Sequence, residues 1–249
     1  MVESAPVGPP VLYIHGLGES ALGFEGLMQD PGLSHLRHIA PDLPGYGKSP
    51  WSSLPQSLKE QADFLAQWLP EVTHEPVIIL GHSMGGVIGL LLCERSPQLV
   101  KGFLNVEGNI SSADCGFSGK IVKYSADEFL TRGFEELTAS VYQGGLTQPA
   151  LRTYFASMRF CDPRLLYRNS RDLVALSRSE ELAPRLGALA IPHLYLLGHP
   201  HGTGDRSRAL LDEAGVPWKS IPDAGHWPFL DQHQAFVEEF RAFLNQLVD

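Results

Sequence analysis

A chain of 249 residues, 43% hydrophobic and 19% charged, is long enough for one sizeable core and has the balance of a folded globular protein. Its formal net charge of −9, with no basic cluster, excludes a general affinity for nucleic acid or anionic membrane surfaces, and no apolar run approaches the length of a membrane span. Three widely spaced cysteines, Cys93, Cys115 and Cys161, fit free thiols in a reducing compartment; because Met1–Pro6 lacks the basic and apolar regions of a secretory signal, the expected location is cytoplasmic.

The first strand is expected over Val11–Ile14 and runs into His15-Gly16-Leu17-Gly18. A second, Leu36–Ala40, precedes Asp42-Leu43-Pro44-Gly45-Tyr46-Gly47-Lys48-Ser49. Ser57–Leu69 places Leu58, Ala62, Leu65 and Leu69 on one face at helical spacing. The apolar run Val77–Leu80 reads as a strand, Gly81-His82-Ser83-Met84-Gly85 as a sharp turn, and Val87–Leu92 as a buried helix. A further strand, Lys101–Val106, ends at Glu107-Gly108-Asn109. From Asn109 to about Leu189 the strand rhythm stops and the pattern is mostly helical and rich in aromatics. Strand-like His193–Leu197 follows, then a short helix over Arg206–Ala214 with Asp205 placed to cap it. Trp218–Ile221 is the last strand. The final helix starts with Asp231 and Gln234 in capping-box spacing and buries Phe236, Val237, Phe240, Leu244 and Leu247. Strands separated by helices imply a parallel sheet.

The chemistry centres on Ser83. In G-x-S-x-G between a strand and a helix, the turn is so tight that the flanking Gly81 and Gly85 can carry no Cβ, and the serine is held in a strained conformation with its hydroxyl projecting. A serine hydroxyl needs a base to become a nucleophile. His226, in Asp223-Ala224-Gly225-His226-Trp227-Pro228, stands late in the chain where such a base is expected. Asp223 is too near His226 in sequence to aim at its outer ring nitrogen and reads as a turn residue. His199 and His201 form an H-x-H pair without a third ligand, so no metal is expected.

Together these segments make the chain resemble the α/β-hydrolase fold superfamily over nearly its whole length. His15-Gly16-Leu17-Gly18 resembles that family's oxyanion loop, Asp42–Ser49 its D-x-P-G-x-G-x-S loop, and Gly225-His226-Trp227 its base-bearing loop. The resemblance implies an α/β fold: a mostly parallel sheet flanked by helices, with a helical cap over residues 111–189 inserted in a core of residues 1–110 and 190–249. Only ten residues precede Val11, so the sheet is expected to have about six strands and to lack the family's usual N-terminal pair.

The same resemblance assigns roles. Ser83 is the expected nucleophile, His226 the base, and the backbone N–H groups of Met84 and Leu17 the oxyanion hole. The usual position of the acid, three residues after Gly198, holds His201. Two carboxylates remain: Glu107, at the strand end used by a subgroup of the fold, and Asp205 as the alternative, and chain order admits both. The implied activity is hydrolysis of a small-molecule acyl substrate, a carboxylic ester or lactone, with no cofactor. A serine nucleophile argues against the dehalogenase and epoxide hydrolase branches. Hydrolysis of a carbon–carbon bond is the alternative, for which Arg152, Arg159, Arg164 or Arg168 would bind a substrate carboxylate; a hydrolase-like small-molecule sensor is a third reading. Gly144-Gly145 and Gly116/Gly119 are candidate hinges for a lid. Oligomeric state is not legible.

Overall fold

The computed structural model describes residues 2–3, 8–51 and 56–247; of the leader read for a signal, Met1–Pro6, residues 1 and 4–6 lie outside them. Six parallel strands form the body of the sheet: β2 (Pro10–Ile14), β3 (Arg37–Ala40), β4 (Val77–His82), β5 (Val100–Val106), β6 (His193–His201) and β7 (Trp218–Gly225). The spatial order is β1-β3-β2-β4-β5-β6-β7. One short strand, β1 (Val2–Glu3), does come from the leader; it pairs antiparallel with β3 at the edge. The six expected strands are present, with β1 added at the edge.

The strands are apolar on both faces, and period-two alternation sorts their side chains between two cores. Leu12, Ile14, Ile79, Phe103, Tyr195 and Leu197 face one core. Val11, Tyr13, Ile78, Leu80, Leu104 and Leu196 face the other, where the last helix adds Phe236, Val237, Phe240, Phe243 and Leu244. On the first side lies the helix Leu58–Val72, entered through a capping box between Ser57 and Glu60, with Leu58, Ala62, Leu65 and Leu69 buried. It outruns its expected end by three residues and carries Pro70 in its last turn, at the cost of one i→i−4 hydrogen bond.

Two cap expectations fail. Gly204, not Asp205, is the N-cap of the helix Asp205–Glu213; the Asp205 side chain points outward, 94% exposed, and pairs with Arg208 one turn on. Asp231 and Gln234 form no capping box either. Pro228–Asp231 is a separate turn, the final helix starts at His233 after Gln232, and the Asp231 carboxylate accepts the N–H of Gly225 (2.9 Å).

Between β5 and β6 the chain makes only helices. Ala126–Glu128 continues through a π turn at Phe129–Gly133 into Phe134–Gly145, followed by Pro149–Met158, Pro163–Ser179 and Leu182–Gly187. This inserted helical cap is docked by polar contacts: Tyr46 donates to Asn169 (2.8 Å), the N–H of Leu58 to Asp172 (3.1 Å), and Ser20 meets Ser157 (2.8 Å). The proposed hinge Gly144-Gly145 lies inside the end of a helix, where a Cβ on Gly144 would meet Leu151 at 2.6 Å. It serves packing. No helix among the described residues is long and apolar enough to cross a membrane.

Candidate active site

Ser83 stands between the end of β4 and the helix Met84–Arg95 with φ 53° and ψ −119°, a conformation forbidding to most side chains. Neighbours over-determine it. Its N–H donates to the carbonyl of Val106 (2.9 Å) and its carbonyl accepts from Gly86 (2.8 Å). The flanking glycines are steric necessities. A Cβ on Gly81 would lie 2.5 Å from the Gly85 carbonyl oxygen, and one on Gly85 would lie 2.0 Å from the carbonyl oxygen of Ile14. Gly85→Ala must therefore push backbone against backbone; we expect a loss of about 3 kcal/mol or more of folding stability, measured by chemical denaturation.

Met84 is the first residue of its helix, so its N–H is among those without an intrahelical partner. Leu17 lines the same cavity as Ser83. His15, just before it, fixes this loop to the Asp42 loop: its Nδ1 donates to the Gly16 carbonyl (2.9 Å) and its Nε2 accepts the N–H of Leu43 (3.0 Å). Burial pushes its pKa down, which keeps the ring neutral. Asp42 holds its own loop by accepting the N–H groups of Ala21 (2.8 Å) and Lys48 (2.9 Å).

His226 follows β7 and faces the cavity with Ser83. Its Nδ1 lies 3.3 Å from Oε2 of Glu107, a carboxylate 3% exposed. Glu107 leaves β5 with φ 53°, and its other oxygen accepts the N–H groups of Gly198 (2.7 Å) and Thr203 (3.1 Å). Gly202 makes room, since a Cβ there would sit 2.2 Å from that oxygen. Asp205 makes no such contact. Burial lowers the pKa of His226, but the Glu107 hydrogen bond and charge outweigh it, with Glu19 and Asp114 adding to the upward shift.

The cavity holds about 290 Å³. Phe117, Ser118, Tyr154 and Leu173 of the helical insertion form part of its wall; of the nine aromatics in that segment, Phe129 and Phe134 are instead buried in its own packing, and Tyr142 and Phe160 face solvent. Arg152, Arg159, Arg164 and Arg168 are not brought to the cavity. Three of them pair elsewhere: Arg159 with Glu135, Arg164 with Asp162 and Arg168 with Asp172.

Sequence reasoning passed over Glu19, Asp114 and Trp227, all of which line the cavity. Glu19 had a signal, since it directly follows the His-Gly loop, and Trp227 adjoins His226. Asp114 had none: it caps a turn, accepting the N–H groups of Ile110 and Ser111 and the Ser207 hydroxyl.

A model of the alpha/beta hydrolase family matches residues 11–239. The chain is 27% identical to a pimeloyl-[acyl-carrier protein] methyl ester esterase of Aeromonas salmonicida, covering 98% of both chains. It is 27% identical to a 2-succinyl-6-hydroxy-2,4-cyclohexadiene-1-carboxylate synthase of Serratia proteamaculans, covering 83% of this chain and 82% of that one. Among solved structures, a thermophilic esterase from Thermogutta terrifontis superposes with a TM-score of 0.76 at 20% identity, over 100% of this chain and 93% of the other.

Proposed function

The chain belongs to the alpha/beta hydrolase family, and we propose that within it the protein is a serine hydrolase that cleaves a small carboxylic ester or lactone through an acyl-enzyme on Ser83. The observation that carries this reading is the convergence of Ser83, His226 and Glu107 on one cavity, with Glu107 in reach of the His226 Nδ1. In this mechanism His226 Nε2 takes the proton of the Ser83 hydroxyl as its oxygen attacks the acyl carbon. The N–H groups of Met84 and Leu17 receive the developing oxyanion, each such donor typically contributing ~3–4 kcal/mol to lowering the barrier. Glu107 fixes the His226 tautomer and stabilises its cation. The protonated His226 then supplies the leaving group with its proton, and water activated by the same ring releases the acid. Residues 111–189 act as a cap on the core of residues 1–110 and 190–249, closing the acyl pocket.

Ester hydrolysis is favoured over carbon–carbon hydrolysis by the charge of the cavity. Carboxylates of Glu19, Glu107 and Asp114 line it, and among the described residues no arginine or lysine does. A substrate carboxylate would meet these carboxylates with no arginine or lysine to receive it. Neutral p-nitrophenyl esters should therefore exceed otherwise matched esters whose acyl chain ends in a carboxylate by about ten-fold or more in kcat/KM. Equal rates would remove the argument.

The base must be neutral to act. Because the His226 pKa is raised, activity should fall as pH drops, with an inflection in kcat/KM above the ordinary histidine value of about 6.5. A profile flat through that range would sink the assignment of His226. The general test is a panel of short and long acyl esters, lactones and thioesters with Ser83→Ala as the blank. Repeated turnover separates an enzyme from a sensor, which binds and releases its ligand slowly.

A further inference from the structure

We propose that Glu19 and His82 form a buried hydrogen-bonded clamp that positions the base-bearing loop and the His-Gly loop around Ser83. Both are positioning residues, and their role rests on the serine-hydrolase reading above. Glu19 is nearly buried and His82 wholly so. One Glu19 oxygen accepts the N–H of Gly16 (2.8 Å) and meets Nδ1 of His82 (3.0 Å); the other accepts the indole N–H of Trp227 (2.7 Å). The Nε2 of His82 donates to the backbone carbonyl of His226 (2.7 Å). Three segments therefore meet on one pair: the loop carrying Leu17, the residue preceding Ser83, and the loop carrying His226. The rings of His82 and His226 stand with centroids 4.9 Å apart.

The hydrogen-bond partners set the directions. A carbonyl only accepts, so Nε2 of His82 donates to His226. Nδ1 lies against a carboxylate oxygen that also accepts the N–H of Gly16. Burial alone would raise the pKa of Glu19, but the groups around it hold it down to about 2. Besides Glu19, the titratable groups facing His82 are His15 and His226. His15 is neutral, because its Nε2 accepts from Leu43. A buried polar pair is a poor device for stability, since hydrophobic packing does as well. What this one adds is direction, since each of its three outward contacts, to Gly16, Trp227 and the His226 carbonyl, ends on a segment that places a reacting group.

The test combines kinetics with one measurement on the unaltered protein. Glu19→Gln keeps the size and the acceptor oxygen but removes the charge. It should lower kcat on the order of ten- to a hundred-fold while KM stays within about two-fold, the pattern of misplaced reacting groups. In the Glu19→Gln, His82→Gln double variant, kcat should fall no further than in the worse single variant, because the two act as a unit. Wild-type kcat in folded Glu19→Gln, or multiplicative losses in the double variant, would overturn the clamp. Should the variants not fold, hydrogen exchange of the wild-type protein decides: the indole N–H of Trp227, held by Glu19, should exchange slowly, and exchange at the rate of a free indole overturns the proposal. Failure of the serine-hydrolase reading looks different: Ser83→Ala would then retain turnover.

Discussion

Ser83→Ala should abolish covalent labelling by a fluorophosphonate probe and reduce kcat on the order of a million-fold, the scale seen when a serine nucleophile is removed from other hydrolases that use one with a histidine base. The substitution removes one oxygen and leaves the backbone strain at φ 53° in place, because alanine carries the same Cβ. The elbow is held by the Ser83 N–H on Val106 and its carbonyl on Gly86, neither of which involves the hydroxyl. Folding stability should therefore stay close to wild type, so that lost activity reports chemistry and not unfolding. Labelling of Ser83→Ala equal to that of wild type would place the nucleophile elsewhere.

The elbow was legible because its geometry admits few sequences. Only glycine fits where Gly81 meets the Gly85 carbonyl and Gly85 meets Ile14, and the apolar strand and helix on either side are visible as continuous buried runs. The sequence left Glu107 and Asp205 both open as the acid; a carboxylate ending a buried strand beside the elbow strand needs a partner, and Oε2 of Glu107 lies 3.3 Å from Nδ1 of His226. What escaped the sequence depends on contacts between distant segments. Glu19 and Trp227 are 208 residues apart, and nothing local shows that an acidic residue in one loop will receive an indole from another. The failed capping expectations have a different cause. Asp205 and Asp231 stand at plausible helix starts, but Gly204 in extended conformation takes the first cap, and the Asp231 carboxylate turns back to Gly225. Local preference loses there to tertiary hydrogen bonding. Strand β1 was unreadable because two residues carry no period.

Glu107→Gln should cost turnover about 10⁴-fold, the loss observed when the triad acid of another serine hydrolase becomes its amide. The reason is a proton, not a shape. Glutamine can keep an oxygen toward the N–H groups of Gly198 and Thr203, which Glu107 now serves. Its amide NH₂ then faces His226 Nδ1, where the carboxylate stood 3.3 Å away. Two donors cannot face each other, so the imidazole shifts its proton to Nε2, the nitrogen that accepts from Ser83 in the proposed mechanism. The charge that raises the His226 pKa also disappears, so any residual activity should show its acid limb at lower pH than wild type. Stability should change little by comparison. Asp205→Asn provides the contrast: that side chain is 94% exposed and paired only with Arg208, so turnover should remain near wild type. Should Asp205→Asn be folded and inactive while Glu107→Gln stays near wild type, the acid would have to be reassigned. Steady-state kcat on a neutral ester, with circular dichroism to verify folding, separates the two outcomes.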